Sequence, residues 1–279
     1  MAIAAKQDVP YDPTIYPTED HMGEGSLQRF ISELFRALAE RWLRGLGHPT
    51  FVGADQFIYW KQFDPKRSLA PDVFVLPGVE PGIKIDSWKI WERGITPSFA
   101  LEIVSQDEYL KDYRDGPPSY DEIGVQELII FDPEHQKDPA ERLRFQVFRR
   151  LPKRGMVRVE ATNEACVRSR VLGCHVRAVG ADLNTLRLRL ATGPKGDTLF
   201  PTAEEAELAA REGERAAQDV ARAAQDAERA AQDVARAAQD VARAAQDVAN
   251  VERAAREEAE AELVQLRAEI ARLRGKTRT

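Results

Sequence analysis

Two acids stand where a carboxylate is costly. Asp72 opens the run DVFVL directly after Pro71, and Glu102 interrupts FALEIVS in its middle. A carboxylate among apolar strand neighbours must be paired, hydrogen-bonded or bound to a cation. On neighbouring strands the two would form a hard-oxygen site suited to Mg²⁺, which takes one or two carboxylates and keeps several waters. A cation there can activate water and stabilise charge developing on a phosphate. On these residues alone a plainer alternative stays open, in which Asp72 is a turn residue after Pro71 and Glu102 faces solvent from an edge strand.

Other chemistry is poorly represented. There is no Gly-rich phosphate loop ending in Lys-Ser/Thr, no GxGxxG and no GxSxG. His21, His48, His135 and His175 are scattered, and Cys166 and Cys174 with His175 lack zinc spacing. Both cysteines read as ordinary buried residues. Tyr120, Trp88 and Trp91 read as packing residues or cleft walls. Arg149, Arg150, Lys153 and Arg154 read as the solvated end of a hairpin, with a phosphate contact as the less common alternative.

The elements that would hold the acids follow from periodicity. Leu27, Phe30, Ile31, Leu34, Phe35, Leu38 and Trp42 make one apolar helix face, ended by Gly45 and Gly47. Strand-like runs follow at Phe51–Trp60, Asp72–Leu76, Ser98–Val104, Glu127–Phe131, Leu143–Arg149 and Met156–Glu160. Weaker ones lie at Val167–Val171, His175–Val179 and Leu186–Leu190. The stretch Gln106–Ile123 is expected to be helical in part, with Gly116-Pro117-Pro118 breaking it. This order predicts an α/β (α+β) fold with a mixed central sheet.

Composition divides the chain near residue 200. All 21 aromatic residues precede position 201, and the last proline is Pro201. Beyond it AAQDVAR-type heptads start at Ala216, Ala223, Ala230, Ala237 and Ala244, with Val220, Val234, Val241 and Val248 in register. Leu263, Leu266, Ile270 and Leu273 continue as an apolar stripe. Such spacing fits a coiled-coil seam, but alanine layers bury little area. A single solvated helix, a weak coiled coil and a disordered tail all remain open. Three segments are thus expected: irregular 1–18, a domain over 19–200, and a helical tail over 201–279.

The net charge of −6 lacks a globally basic nucleic-acid footprint, while leaving room for a local basic groove. Mean hydropathy of −0.46 and the absence of a long apolar run predict no membrane span. The start, MAIAAKQDVPYDPT, predicts no secretory signal, and two cysteines in 279 residues make a reducing cytoplasm the expected setting.

Several stretches together resemble one family. RSLAPDVFVLPGV, then WKIWERGITPSFALEIVS, then YDEIGVQELIIFDP is similar to the Uma family of putative restriction endonucleases, in the PD-(D/E)xK nuclease superfamily. The resemblance runs from about Tyr16 to Glu205 and takes in HMGEGSLQRFISEL, FVGADQFIYW, RSRVLGCHVRAV and the exit TLFPTAEEAE. It implies a restriction-endonuclease-like fold with flanking helices and a long C-terminal α-helix or coiled coil. It further implies a Mg²⁺ site, with Mn²⁺ as an alternative, and DNA as substrate. Asp72 matches the family's PD aspartate, Glu102 the acid of the next strand, and Glu24 an acidic position that would complete the metal shell.

One position departs from the pattern. The Lys expected two residues after the second acid is Val104. In the family that Lys has moved to the next helix, four residues before the Tyr matching Tyr120, and here that position is Gly116. The nearest basic residues are Lys111 and Arg114, so Lys111 is the candidate stand-in. Loss of one such preorganised contact typically costs about 10²–10³ in rate. Two functions therefore stay open: a Mg²⁺-dependent endonuclease using Asp72, Glu102 and Lys111, and an inactive nuclease fold that pairs, as a homodimer or with a partner, through its helical tail. The residues do not separate DNA from RNA as substrate.

Overall fold

The apolar face read between Leu27 and Trp42 forms α1 (Ser26–Gly45) in a computed structural model that describes residues 10–16, 26–105 and 110–276. Ile31, Phe35, Leu38 and Ala39 on that face are essentially fully buried. Phe30 departs from the expectation: it is exposed, with the Arg187 guanidinium 5.6 Å from its ring centre.

The strand expected over Phe51–Trp60 is two strands in two sheets, β1 (Thr50–Gly53) and β2 (Ile58–Tyr59). The chain leaves the first sheet at Gly53, where a Cβ would sit 2.3 Å from the Phe74 ring. Asp55 then takes a left-handed φ of 52° and donates its N–H to the Pro71 carbonyl. Next come β3 (Ser68–Leu69), β4 (Val73–Pro77), β5 (Trp88–Lys89), the one-turn α2 (Ile90–Arg93) and β6 (Phe99–Ile103). A π-helical turn, Lys111–Asp115, runs into α3 (Gly116–Ile123). The remaining strands of the domain are β7 (Glu127–Phe131), β8 (Phe145–Leu151), β9 (Gly155–Thr162), β10 (Cys166–Arg168), β11 (His175–Val179), β12 (Arg187–Thr192) and β13 (Thr198–Leu199).

Gly116-Pro117-Pro118 does not break the helix as expected; it opens α3. The prolines occupy the first turn, where a missing N–H has no intrahelical partner to lose. The wide turn before them closes with the Gly116 N–H bonded to the Lys111 carbonyl, five residues back.

The central sheet has strand order β1-β4-β6-β7-β8-β9 and is mixed. Only β6 and β7 run parallel within it, and α3 lies in the crossover between them. Alternation along β6 divides its side chains. Phe99, Leu101 and Ile103 join α1 in one core, whose far side is closed by Val176, Leu188 and Leu190 of the four-stranded sheet β10-β11-β12-β13. Ala100 instead packs with Tyr120 and Ile123 of α3 on the opposite face. The small sheet β3-β2-β5 contributes Ile58 and Trp88 to a third cluster, with Phe74 and Leu76 of β4.

The chain separates into two compact units, Met1–Thr202 and Ala203–Thr279. The second is α4 (Ala203–Lys276), 74 residues long and so about 110 Å end to end. Its heptad valines are well exposed, Val220, Val234 and Val241 at 71% each. Pairs one turn apart, such as Arg211 with Glu207 at 2.5 Å, support it locally.

Candidate metal centre

The pairing of β4 with β6 decides where the two acids meet. The strands are antiparallel, with Val73 opposite Leu101 and Phe74 opposite Ala100. Extending that register by one residue brings Asp72, in the bend before β4, opposite Glu102. Alternation then puts Asp72 on the side of Phe74 and Glu102 on the side of Ala100, the face covered by α3. Asp72 lies in the bend just before β4 and is buried, at 3% exposure. Its Oδ2 accepts the Ile103 N–H at 2.5 Å, and its Oδ1 accepts from Gln28 Nε2 of α1 at 2.8 Å. Glu102 is partly buried, on an interior strand of the sheet rather than an edge, and accepts the Tyr120 hydroxyl through Oε1.

The electrostatics follow from crowding acids in a poorly solvated place. Burial, and then the Glu102 charge, push the Asp72 carboxyl well above the usual carboxylate range. Burial, followed by the Asp112 charge, pushes Glu102 up to about 7. Burial and the Glu102 charge raise the Tyr120 phenol in turn, so it stays a donor. Two carboxyls of raised proton affinity, one buried and one partly so, thus stand close together. The donor set fits Mg²⁺, for which two carboxylates plus water suffice. Among the described residues no three His, Cys, Asp or Glu side chains converge as a closed cage.

The other candidates are placed less completely. Glu24 lies outside the described residues. Lys111 begins the π-helical turn and is exposed, as is Arg114. Gly116 has helical φ and ψ of −61° and −59°, and a Cβ there would meet nothing closer than the Lys111 carbonyl at 3.9 Å. Gly116 precedes Tyr120 by one turn, so a longer side chain would start from the helix face that reaches Glu102.

Residues that sequence reasoning passed over support the site. Gln28 was read only as part of a helix, because a glutamine at a helix start carries no signal of its own. Asp132 stands out only as part of the stretch YDEIGVQELIIFDP. It is fully buried and takes a two-pronged ion pair from Arg142, both distances 2.7 Å, with the Tyr113 hydroxyl donating to its Oδ2 at 2.8 Å. Glu127 is likewise buried, bound by Arg149 at 2.7 Å and by the backbone N–H groups of Arg170 and Val171.

That pairing corrects the basic run. Arg149 is mostly buried against Glu127, and Arg150 pairs with Asp121 at 2.9 Å; Lys153 and Arg154 are left at the exposed turn. Cys174 is buried, whereas Cys166 is only partly so. Trp88 is buried, with its indole N–H on the Ile95 carbonyl at 2.8 Å, so it packs and lines no open surface. Trp91 lies 5.5 Å from Tyr16, centre to centre.

No curated protein matches the chain. A crystal structure from Anabaena variabilis ATCC 29413, described as "a putative nuclease belonging to DUF820", is similar at 16% identity and a TM-score of 0.38, over 55% of this chain and 76% of that one. The family profile described as "Putative restriction endonuclease" matches residues 18–170, more than half of the chain, and the protein belongs to that family, Uma2.

Proposed function

We propose that the protein is a divalent-metal-dependent endonuclease that hydrolyses phosphodiester bonds in DNA, with Asp72 and Glu102 as the carboxylates that hold Mg²⁺ or Mn²⁺. The observation that carries this reading is the closeness of two acids of raised proton affinity, buried Asp72 just before β4 and partly buried Glu102 on β6, in a chain of this family. When bound, the cation supplies Lewis acidity and a water activated for attack. Gln28 and the Ile103 N–H fix the Asp72 carboxylate, and Tyr120 fixes Glu102. Glu24 is assigned as a further ligand by its match to the family alone. Lys111, with Arg114 beside it, is the cation that would face the scissile phosphate in place of the lysine missing at Gly116. The direct test is nicking of supercoiled plasmid with and without Mg²⁺. The wild type should nick only with metal, and Asp72→Ala and Glu102→Ala should abolish it; equal cutting by all three would reject the assignment.

A second reading draws on Gly116 and on α4. A nuclease fold lacking its usual lysine, joined to a helix with a repeating exposed valine seam, also suits an interaction module that forms a homodimer through α4. Metal binding without any turnover, together with self-association lost on charging that seam, would favour this reading.

A further inference from the structure

We propose that Tyr113, anchored by Asp132 and Arg142, is a positioning residue that sets the π-helical turn so that Asp112 faces Glu102 and reaches the water shell of the bound cation. The inference rests on the metal centre described above. Its basis is the way this turn alters the direction of side chains. In a regular helix, at about 100° per residue, Asp112 would lie roughly 80° around from Tyr120, and Tyr113 would share the Tyr120 face. The one extra residue of a π-turn takes up about 100°, which brings Asp112 to within roughly 20° of Tyr120 and swings Tyr113 away. The contacts agree with that rotation. Tyr120 bonds to Glu102, and Tyr113 reaches out to Asp132 instead.

Asp132 is a firm anchor. It directly follows β7, the parallel neighbour of β6, and Arg142 grips both of its oxygens. The Tyr113 hydroxyl also accepts the Leu143 N–H at 3.2 Å, so it is tied to two points of the same loop. A buried, bidentate ion pair resists rearrangement because breaking either partner strands a charge. The turn is therefore held from outside the site, and a carboxylate that does not touch the metal directly can still accept hydrogen bonds from its waters. Outer contacts of this kind typically change metal affinity about 10–100-fold when removed.

The test is a double-mutant cycle on metal affinity, which needs no turnover. Mg²⁺ and Mn²⁺ are titrated calorimetrically into the full chain as wild type, Asp112→Asn, Tyr113→Phe and the double variant. Tyr113→Phe removes one oxygen only, and melting curves establish that each variant is folded. Each single change should weaken Mn²⁺ binding about tenfold, and the double variant should bind no more weakly than Asp112→Asn alone. Unchanged affinity in Tyr113→Phe, or effects of the two changes that simply multiply, would overturn the positioning role while leaving the Asp72–Glu102 site intact. A wild type that binds neither ion would instead remove the metal centre itself, and this inference with it.

Discussion

Asp72 and Glu102 face one another across the antiparallel β4–β6 pair because Val73 stands opposite Leu101, and the residue before one meets the residue after the other. Both carboxyls have raised proton affinity, principally from burial. On the proposed reading, protons and a divalent cation compete for these carboxyls, and the competition has measurable outcomes.

The metal-free chain should lose stability as pH rises from about 4.5 to about 7, the window between the ordinary and the raised value for Glu102. In that range the folded state still holds a proton that the unfolded chain has released, so folding is favoured at the acid end and the advantage disappears as Glu102 ionises. Urea midpoints across that range should fall for the wild type and change less for Glu102→Gln. At about pH 8 that variant should be the more stable by roughly 1–3 kcal/mol.

Mg²⁺ should reverse this trend. A ligand that binds only the folded state stabilises it by about 2.7 kcal/mol at a hundred times its Kd. The melting temperature should therefore rise with Mg²⁺ at about pH 8 and hardly move at about pH 5, where protons occupy the carboxyls. Asp72→Ala should show no metal-dependent rise at either pH.

Gly116→Lys should be accepted by the fold, since the position is helical and open. Its ammonium would start one turn before Tyr120, on the face that reaches Glu102. If the missing lysine limits the chemistry, metal-dependent nicking should rise about 10²-fold. An unchanged rate in a variant of normal metal affinity would show that Lys111 already fills the role, or that the lysine is not needed.

Arg142→Met should destabilise the fold by about 3–5 kcal/mol, because Asp132 would be left buried without its partner. Exchanging an exposed pair such as Arg29 with Glu33 should cost under about 1 kcal/mol. Chemical denaturation of the two variants compares these directly.

For the tail, glutamates at Val234, Val241, Leu266 and Ile270 should leave the helix content of α4 unchanged, because these side chains are exposed along it. Self-association through the seam would then be lost in sedimentation velocity, with the circular dichroism preserved. A wild type that sediments as a monomer would rule out the homodimer.

How far the sequence alone could be read depended on the range of the interaction involved. Helix α1 and strands β4, β6 and β7 were legible because a buried apolar face repeats with the period of its own element, a local property of Ile31, Phe35 and Leu38 or of Phe99 and Leu101. Asp72 and Glu102 were legible as misfits in apolar runs, and a family pattern then singled them out. Local rules failed where the backbone answered to something distant. The long strand at Phe51–Trp60 divides because Gly53 makes room for Phe74. Gly116-Pro117-Pro118 starts a helix because prolines in a first turn lose no intrahelical hydrogen bond. Gln28, Asp132 and Arg142 stayed silent because their roles lie in partners 44 and 10 residues away. Sequence by itself marked two acids as misfits in apolar runs and showed which segments would carry them. Only the tertiary structure decided that they share a face, since that depends on strand register, and register is set by how two separate strands pair rather than by either one alone.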